Sequence, residues 1–165
     1  MPDISHFFPS ASFIEQVTLT PVEQAIAREA AEARAKRFMQ EDNQWLGACG
    51  EVAARKYLSL PLELHTGADA GVDLRLDRAT VDVKATKAHG RYLAFEHDGC
   101  FTADLAVLAL VGSGVVDLAG WVTRTGFRMA AFDHNLGRGP VRVMRHSELR
   151  PMNQLLRRWE RYRAA

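Results

Sequence analysis

Residues 105–111, Leu-Ala-Val-Leu-Ala-Leu-Val, form an unbroken apolar run. Such a run predicts a central strand covered on both faces, so the chain needs a layer on each side of a sheet. Helices to supply those layers are visible. Thr20-Pro21-Val22-Glu23 reads as a helix start, with Thr as N-cap, Pro at the first helical position and Glu three after the cap. That helix runs to about Gln40 with a narrow apolar stripe of Val22, Ile26, Ala30 and Ala33. A second helix opens at Asn43 or Gln44 and continues through about Leu58, with Leu46, Ala53 and Tyr57 on one side. Its Gly47 and Gly50 lower helix propensity and predict close packing, against the sheet in particular. A last helix starts near Pro151, where Met152, Leu155, Leu156, Trp159 and Tyr162 fall at helical spacing on a docking face.

Further strands alternate in polarity. Residues 62–65, 71–76, 80–86 and 91–96 follow one another closely enough to predict an antiparallel meander. Gly112-Ser113-Gly114 makes a turn into a strand over 115–122, and Thr123 caps a short helix to about Ala130. Residues 1–19 carry Phe7, Phe8, Phe13 and Ile14 without a period and read as an arm that docks on the body or on a partner. At 165 residues there is room for one core, and no linker or repeat divides it. The expectation is a single α/β domain with a mixed central sheet flanked by helices. It comprises an arm and helix over 1–40, a core over 44–122 and a basic helical part over 123–165.

No apolar run approaches a membrane span, and the start lacks a signal-peptide pattern, so a cytoplasmic protein is expected. Cys49 and Cys100 are far apart with no CxxC spacing, which suits free thiols and excludes a zinc site built on Cys. The net charge is +1, but it is unevenly spread. From Gly137 onward eight arginines face Glu148 and Glu160, leaving +6, and the remainder, with 13 basic and 18 acidic residues, carries −5. A basic third beside an acidic region suits a polyanion held near metal-binding carboxylates. A solvated outer helix face would look the same.

The chemistry sits in the runs 71–76 and 80–86. On extended chain, Val81, Val83 and Ala85 face one way, and Asp82, Lys84 and Thr86 the other. Paired as a hairpin, the two runs bring Asp73, Asp82 and Lys84 to one polar patch. Two carboxylates and an ammonium there suit a divalent cation beside a positioned base, as phosphodiester hydrolysis requires. Taken singly the residues have plainer readings. Asp82 and Lys84 could be a same-face surface pair worth about a few tenths of a kcal/mol. Glu51 and Arg55, four apart on a helix, could be a solvated ion pair.

Helix-borne Glu51 in Gly50-Glu51-Val52-Ala53-Ala54, then Asp73, then Asp82-Val83-Lys84, gives an order that resembles the PD-(D/E)XK nuclease superfamily, the restriction-endonuclease-like fold. The likeness spans roughly residues 44–122 and is greatest to small single-domain bacterial, phage and Holliday-junction-resolvase-like members. It implies that Glu51, Asp73 and Asp82 hold Mg²⁺ or Mn²⁺, with the Val83 carbonyl as a further ligand. Lys84 would orient or activate water. Three departures stand out: Val72 in place of proline, Asp82 in place of the more frequent Glu, and a short or absent helix over 97–103. Thr86 is a candidate phosphate or water contact, and Arg157, Arg158 and Arg161 would grip nucleic-acid phosphates without reading sequence. DNA is the expected substrate, with low sequence specificity or specificity for DNA structure, and cutting both strands favours a homodimer. An RNA-directed nuclease and a non-catalytic binding module on the same fold remain the alternatives. His134-Asn135 lacks the second histidine of an HNH site, and Gly137-Arg138-Gly139 lacks the Gly-Lys-Ser/Thr of a phosphate-binding loop.

Overall fold

Thr20 and Glu23 close a reciprocal cap in the computed structural model, which describes residues 14–38, 41–67 and 71–165. Thr20 Oγ1 accepts from the Glu23 amide at 3.2 Å, and the Thr20 amide donates to Glu23 Oε2 at 2.7 Å. Helix α1 then runs Pro21–Phe38 and packs on α2, Glu41–Tyr57. The stripe expected on α1 is rotated. Val22 is 70% exposed, and Ala27, Ala30, Ala31 and Arg34 form the buried face. Small side chains let the two helices approach, and Arg34 is drawn inward by an acid on α2. Gly50 does what its low propensity suggests: a Cβ there would lie 3.0 Å from Ala85 Cβ and 3.1 Å from Ala109 Cβ. Gly47 has open space instead, with nothing within 4 Å.

The main sheet has five strands in the order β1-β6-β5-β3-β2: β1 Glu15–Thr18, β2 Leu74–Leu76, β3 Ala79–Lys87, β5 Leu105–Val111 and β6 Val115–Thr123. The apolar run is the central strand β5, parallel to β3 and antiparallel to β6. The sheet is therefore mixed, and the fold is α/β. Only β2 and β3 realise the meander, as an antiparallel hairpin. The chain leaves β3 through β4 (Tyr92–Phe95) and a 3-10 turn at Asp98–Cys100, with no α-helix, before re-entering as β5. β4 pairs instead with β8 (Pro140–Arg145), which pairs with β7 (Phe132–Asn135) in a separate three-stranded sheet.

Residues 62–65, expected as a strand, alternate in exposure but join no ladder. Guanidinium groups satisfy this stretch instead: Arg34 Nε donates to the His65 carbonyl at 2.7 Å and Arg55 Nη1 to that of Pro61 at 3.1 Å. In the arm, Glu15–Thr18 forms edge strand β1 along β6, and residues 1–13, with Phe7, Phe8 and Phe13, lie outside the described residues.

Two cores result. On one face of the main sheet lie α2, with α1 behind it, and α4 (Met152–Arg163), around Val52, Leu58, Val81, Val107 and Trp121. The small sheet and α3 (Arg124–Ala130) cover the other face around Phe95, Phe101 and Phe127, where Phe95 and Phe101 stack at 4.5 Å. Thr123 caps α3 as expected, its Oγ1 accepting from the Gly126 amide at 3.0 Å. Gly120, with φ +147°, lets the chain before α4 approach, since a Cβ there would sit 2.6 Å from the Arg150 carbonyl. No helix among the described residues is long and apolar enough to cross a membrane.

Candidate functional site

The β2–β3 register pairs Leu74 with Val81 and Leu76 with Ala79, and regular pairing ends there, since the Asp73 amide also bonds the Val81 carbonyl. Asp73 lies just before β2 and replaces part of the ladder with its side chain. Its Oδ2 accepts from the Val83 amide at 2.6 Å, while its own amide donates to the Val81 carbonyl at 2.9 Å. The residue is held from behind by Arg55, whose Nη2 donates to the Asp73 carbonyl at 2.7 Å. Arg55 is only 8% exposed. It is therefore an anchor joining α2 to the strand approach, and not a solvated partner of Glu51. The signal was present in the sequence, as an arginine among alanines on a helix that packs on the sheet.

Asp82 and Lys84 lie on the opposite face of β3 from Gly50 and α2. Their neighbours across the parallel ladder are Ala106 and Leu108, both in the second core. Asp82 is 2% exposed, and its Oδ2 lies 3.0 Å from Lys84 Nζ. Lys84 remains about two-fifths exposed and passes over the Phe95 ring at 5.0 Å. The polar face is thus a rim rather than an open surface. The Asp82 carboxylate at its inner end meets an ammonium that reaches solvent over the Phe95 ring. Gly71, with φ +78°, covers Asp82, since a Cβ there would come within 3.8 Å of Asp82 Oδ2 and 3.1 Å of Thr102 Oγ1. Thr86 packs under the turn at Gly90, whose backbone could not carry a side chain beside it.

Glu51 pairs with a residue of α1. It is 3% exposed on α2, and its Oε1 pairs with Arg34 Nη1 at 2.7 Å. A cavity of about 540 Å³ beside β2 is lined by Asp73 with Arg55, Pro61, His65 and Arg75, but not by Glu51, Asp82 or Lys84. Among the described residues no three His, Cys, Asp or Glu side chains form a metal-holding group. Asp73, Asp82 and the Val83 carbonyl nevertheless offer only hard oxygen donors, the kind Mg²⁺ takes, and one or two carboxylates with waters suffice for it. The donor set fits the cation in kind, and Glu51 is paired with Arg34.

At the start of β3, Asp104 ties the strand to the approach of β5. Its Oδ2 accepts from the Thr80 amide and Thr80 Oγ1, both at 2.9 Å. Those hydrogen bonds, backbone first, hold its carboxyl below the usual aspartate range. The arginine helix lies elsewhere. Arg157, Arg158 and Arg161 are exposed on α4, which docks through Met152 and Leu155 on the α2 face. Arg158 covers Trp121 at 5.5 Å, and Trp159 Nε1 donates to the Leu58 carbonyl at 3.1 Å. The sheet therefore separates these arginines from Lys84. His65 lends its carbonyl to Arg34, and His97 contacts Cys100 Sγ at 3.2 Å through Nε2. No family model matches the chain, and no curated protein or solved structure matches it significantly.

Proposed function

We propose that the chain is a Mg²⁺-dependent nuclease that hydrolyses phosphodiester bonds, in DNA first of all. The observation that carries this reading is Asp82 buried 3.0 Å from a solvent-reaching Lys84, with the Asp73 carboxylate on the amide of the intervening Val83. In this reading Asp73, Asp82 and the Val83 carbonyl hold the cation, which when bound polarises the scissile phosphate and acidifies a water. Lys84 holds the attacking water or neutralises charge on the phosphate oxygens, and its contact with Phe95 fixes its approach. Arg55 keeps Asp73 in register by gripping its carbonyl. Glu51 stays with Arg34 in the resting chain. Such a core would be of the restriction-endonuclease-like kind. Two free cysteines agree with a cytoplasmic setting.

Labelled DNA incubated with Mg²⁺ or Mn²⁺ tests the proposal, with wild type beside Asp82→Ala and Lys84→Ala. Both variants are expected to lose at least about two orders of magnitude in rate, as removal of an electrostatic or acid–base group does. Wild type that cuts no linear, branched or single-stranded DNA would sink the DNA reading, and RNA at matched length in parallel reveals an RNA-directed enzyme. The Arg34–Glu51 pair favours a second reading, a non-catalytic binding module, because it withholds one carboxylate from the cation. Cleavage that disappears on Lys84→Ala excludes it.

A further inference from the structure

The outward face of the small sheet carries an aromatic cluster that the hairpin site does not use. The β4–β8 and β7–β8 registers put Tyr92, Phe132, His134, Val143 and Arg145 on one face, and Leu93, Phe95 and Met144 on the other. The second set is buried in the aromatic core, whereas Tyr92, Phe132 and His134 stay half-exposed. The rings meet over Val143, which they leave 0% exposed. Tyr92 and His134 lie 4.9 Å apart at 40°, and Phe132 stands edge-on to each at 6.3 and 6.2 Å. Arg145 lies over Phe132 at 4.9 Å with its guanidinium exposed.

Charge on the two faces is segregated. Asp98 and Asp133 both pair with Arg142, which belongs to the reverse face. Among the described residues, the strands give the aromatic face no acidic side chain, and at its border the Glu148 carboxylate accepts from the Arg145 amide at 3.1 Å. At the hairpin tip, Leu136 is 50% exposed, and Arg138 stands exposed between Gly137 and Gly139, which have φ of +93° and +100°. Flat rings beside exposed arginines match a ligand with π-faces and phosphates. Duplex DNA hides its base faces, so its bases cannot stack on such a surface. An apolar protein surface would desolvate the exposed Arg145 guanidinium without offering it an anion.

We infer that this face is a stacking platform for the bases of single-stranded nucleic acid, with Arg145 and Arg138 meeting the phosphates. Bases stack on Tyr92 and the exposed side of His134, and Phe132 with Arg145 extends the surface across the sheet. The platform is distinct from the hairpin site and does not depend on hydrolysis there.

Fluorescence anisotropy in EDTA tests it, since binding is then read whether or not the chain cleaves. A labelled oligothymidylate of about 12 nucleotides, within the range that one small sheet domain covers, is compared with a duplex of equal length. The single strand is expected to bind tighter than the duplex, and Tyr92→Ala is expected to weaken it roughly 5- to 100-fold. Tyr92→Phe keeps the ring and should bind as wild type. Arg145→Gln, at an exposed position that does not threaten folding, should weaken binding several-fold and lower its salt dependence. Equal affinity for single strand and duplex overturns the inference, as does wild-type binding by both Tyr92→Ala and Arg145→Gln. Dimerisation that Tyr92→Ala abolishes assigns the face to a second copy of the chain and overturns it too.

Discussion

Replacing Arg34 with methionine separates the structural part of Glu51 from any catalytic part. Glu51 is 3% exposed and Arg34 7%, their charged atoms lie 2.7 Å apart, and Arg34 also secures the His65 carbonyl. Removing one partner of a buried pair takes the main opposing charge from the other and costs about 3–5 kcal/mol. Loss of the hydrogen bond to His65 adds about 1 kcal/mol. For a chain of this size each kcal/mol moves Tm by about 2–4 °C, so Arg34→Met should lower Tm by roughly 8–24 °C. Glu51→Gln should fall in the same range, because it leaves a buried guanidinium with a weaker partner. The double variant Arg34→Met/Glu51→Leu removes both charges. It should recover most of the loss, keeping only about 1–2 kcal/mol for the bare His65 carbonyl and imperfect packing. Urea unfolding followed by circular dichroism measures all four proteins. If Arg34→Met loses less than about 1 kcal/mol, or the double variant is no better than the singles, the pair does not act as a buried ion pair holding α1 to α2.

The two helix glycines give opposite signs. Gly47→Ala, with open space around its Cβ, should stabilise by about 0.5–1 kcal/mol, whereas Gly50→Ala meets Ala85 and Ala109 and should lose about 1 kcal/mol or more once overpacking exceeds the helix gain; thermal melts decide. The Asp104 carboxyl is held low by Thr80, so its contribution is present above the unfolded aspartate value of about 3.9 and fades as pH falls through the lower folded one. Asp104→Asn should cost about 1 kcal/mol or less at neutral pH, since the group is half exposed, and the difference from wild type should shrink in melts below about pH 4. Burial pushes the Cys49 thiol up to about 11, so a thiol reagent at pH 8 should label Cys100 first and reach Cys49 only on unfolding; equal rates at both would contradict the buried placement.

Local signals carried much of the fold. The 105–111 run is the central strand, Thr20 and Glu23 cap α1, Thr123 caps α3, and Gly50 marks where α2 lies against Ala85. Each is a statement about a few adjacent residues, and alternation likewise sets the face of β3 shared by Asp82 and Lys84. What escaped was decided by distant partners. The alternation of residues 62–65 is that of a strand, but the carbonyls there belong to Arg34 and Arg55. Strands β7 and β8 were hidden because Phe132, His134, Val141 and Val143 acquire a face only when β4 leaves the main sheet to join them.

The same distinction explains the candidate site. Spacing on one strand was enough to bring Asp82 to Lys84, because a residue and its second neighbour share a face wherever the strand goes. What Glu51 would pair with depended on which side of the sheet α2 would occupy and on what stood opposite it. Gly50 presses that helix against Val83 and Ala85, the face away from Lys84, and Arg34 on α1 lies within reach of the adjacent Glu51. The arginines of α4 follow the same logic: Met152 and Leu155 dock their helix on the α2 side and so carry Arg157, Arg158 and Arg161 away from the rim. A buried acid beside a half-exposed lysine is costly to maintain where apolar side chains would pack as well, and a strand keeps such a pair most readily when its charges have a use. Asp82 and Lys84, set between two apolar cores, are where that cost is concentrated.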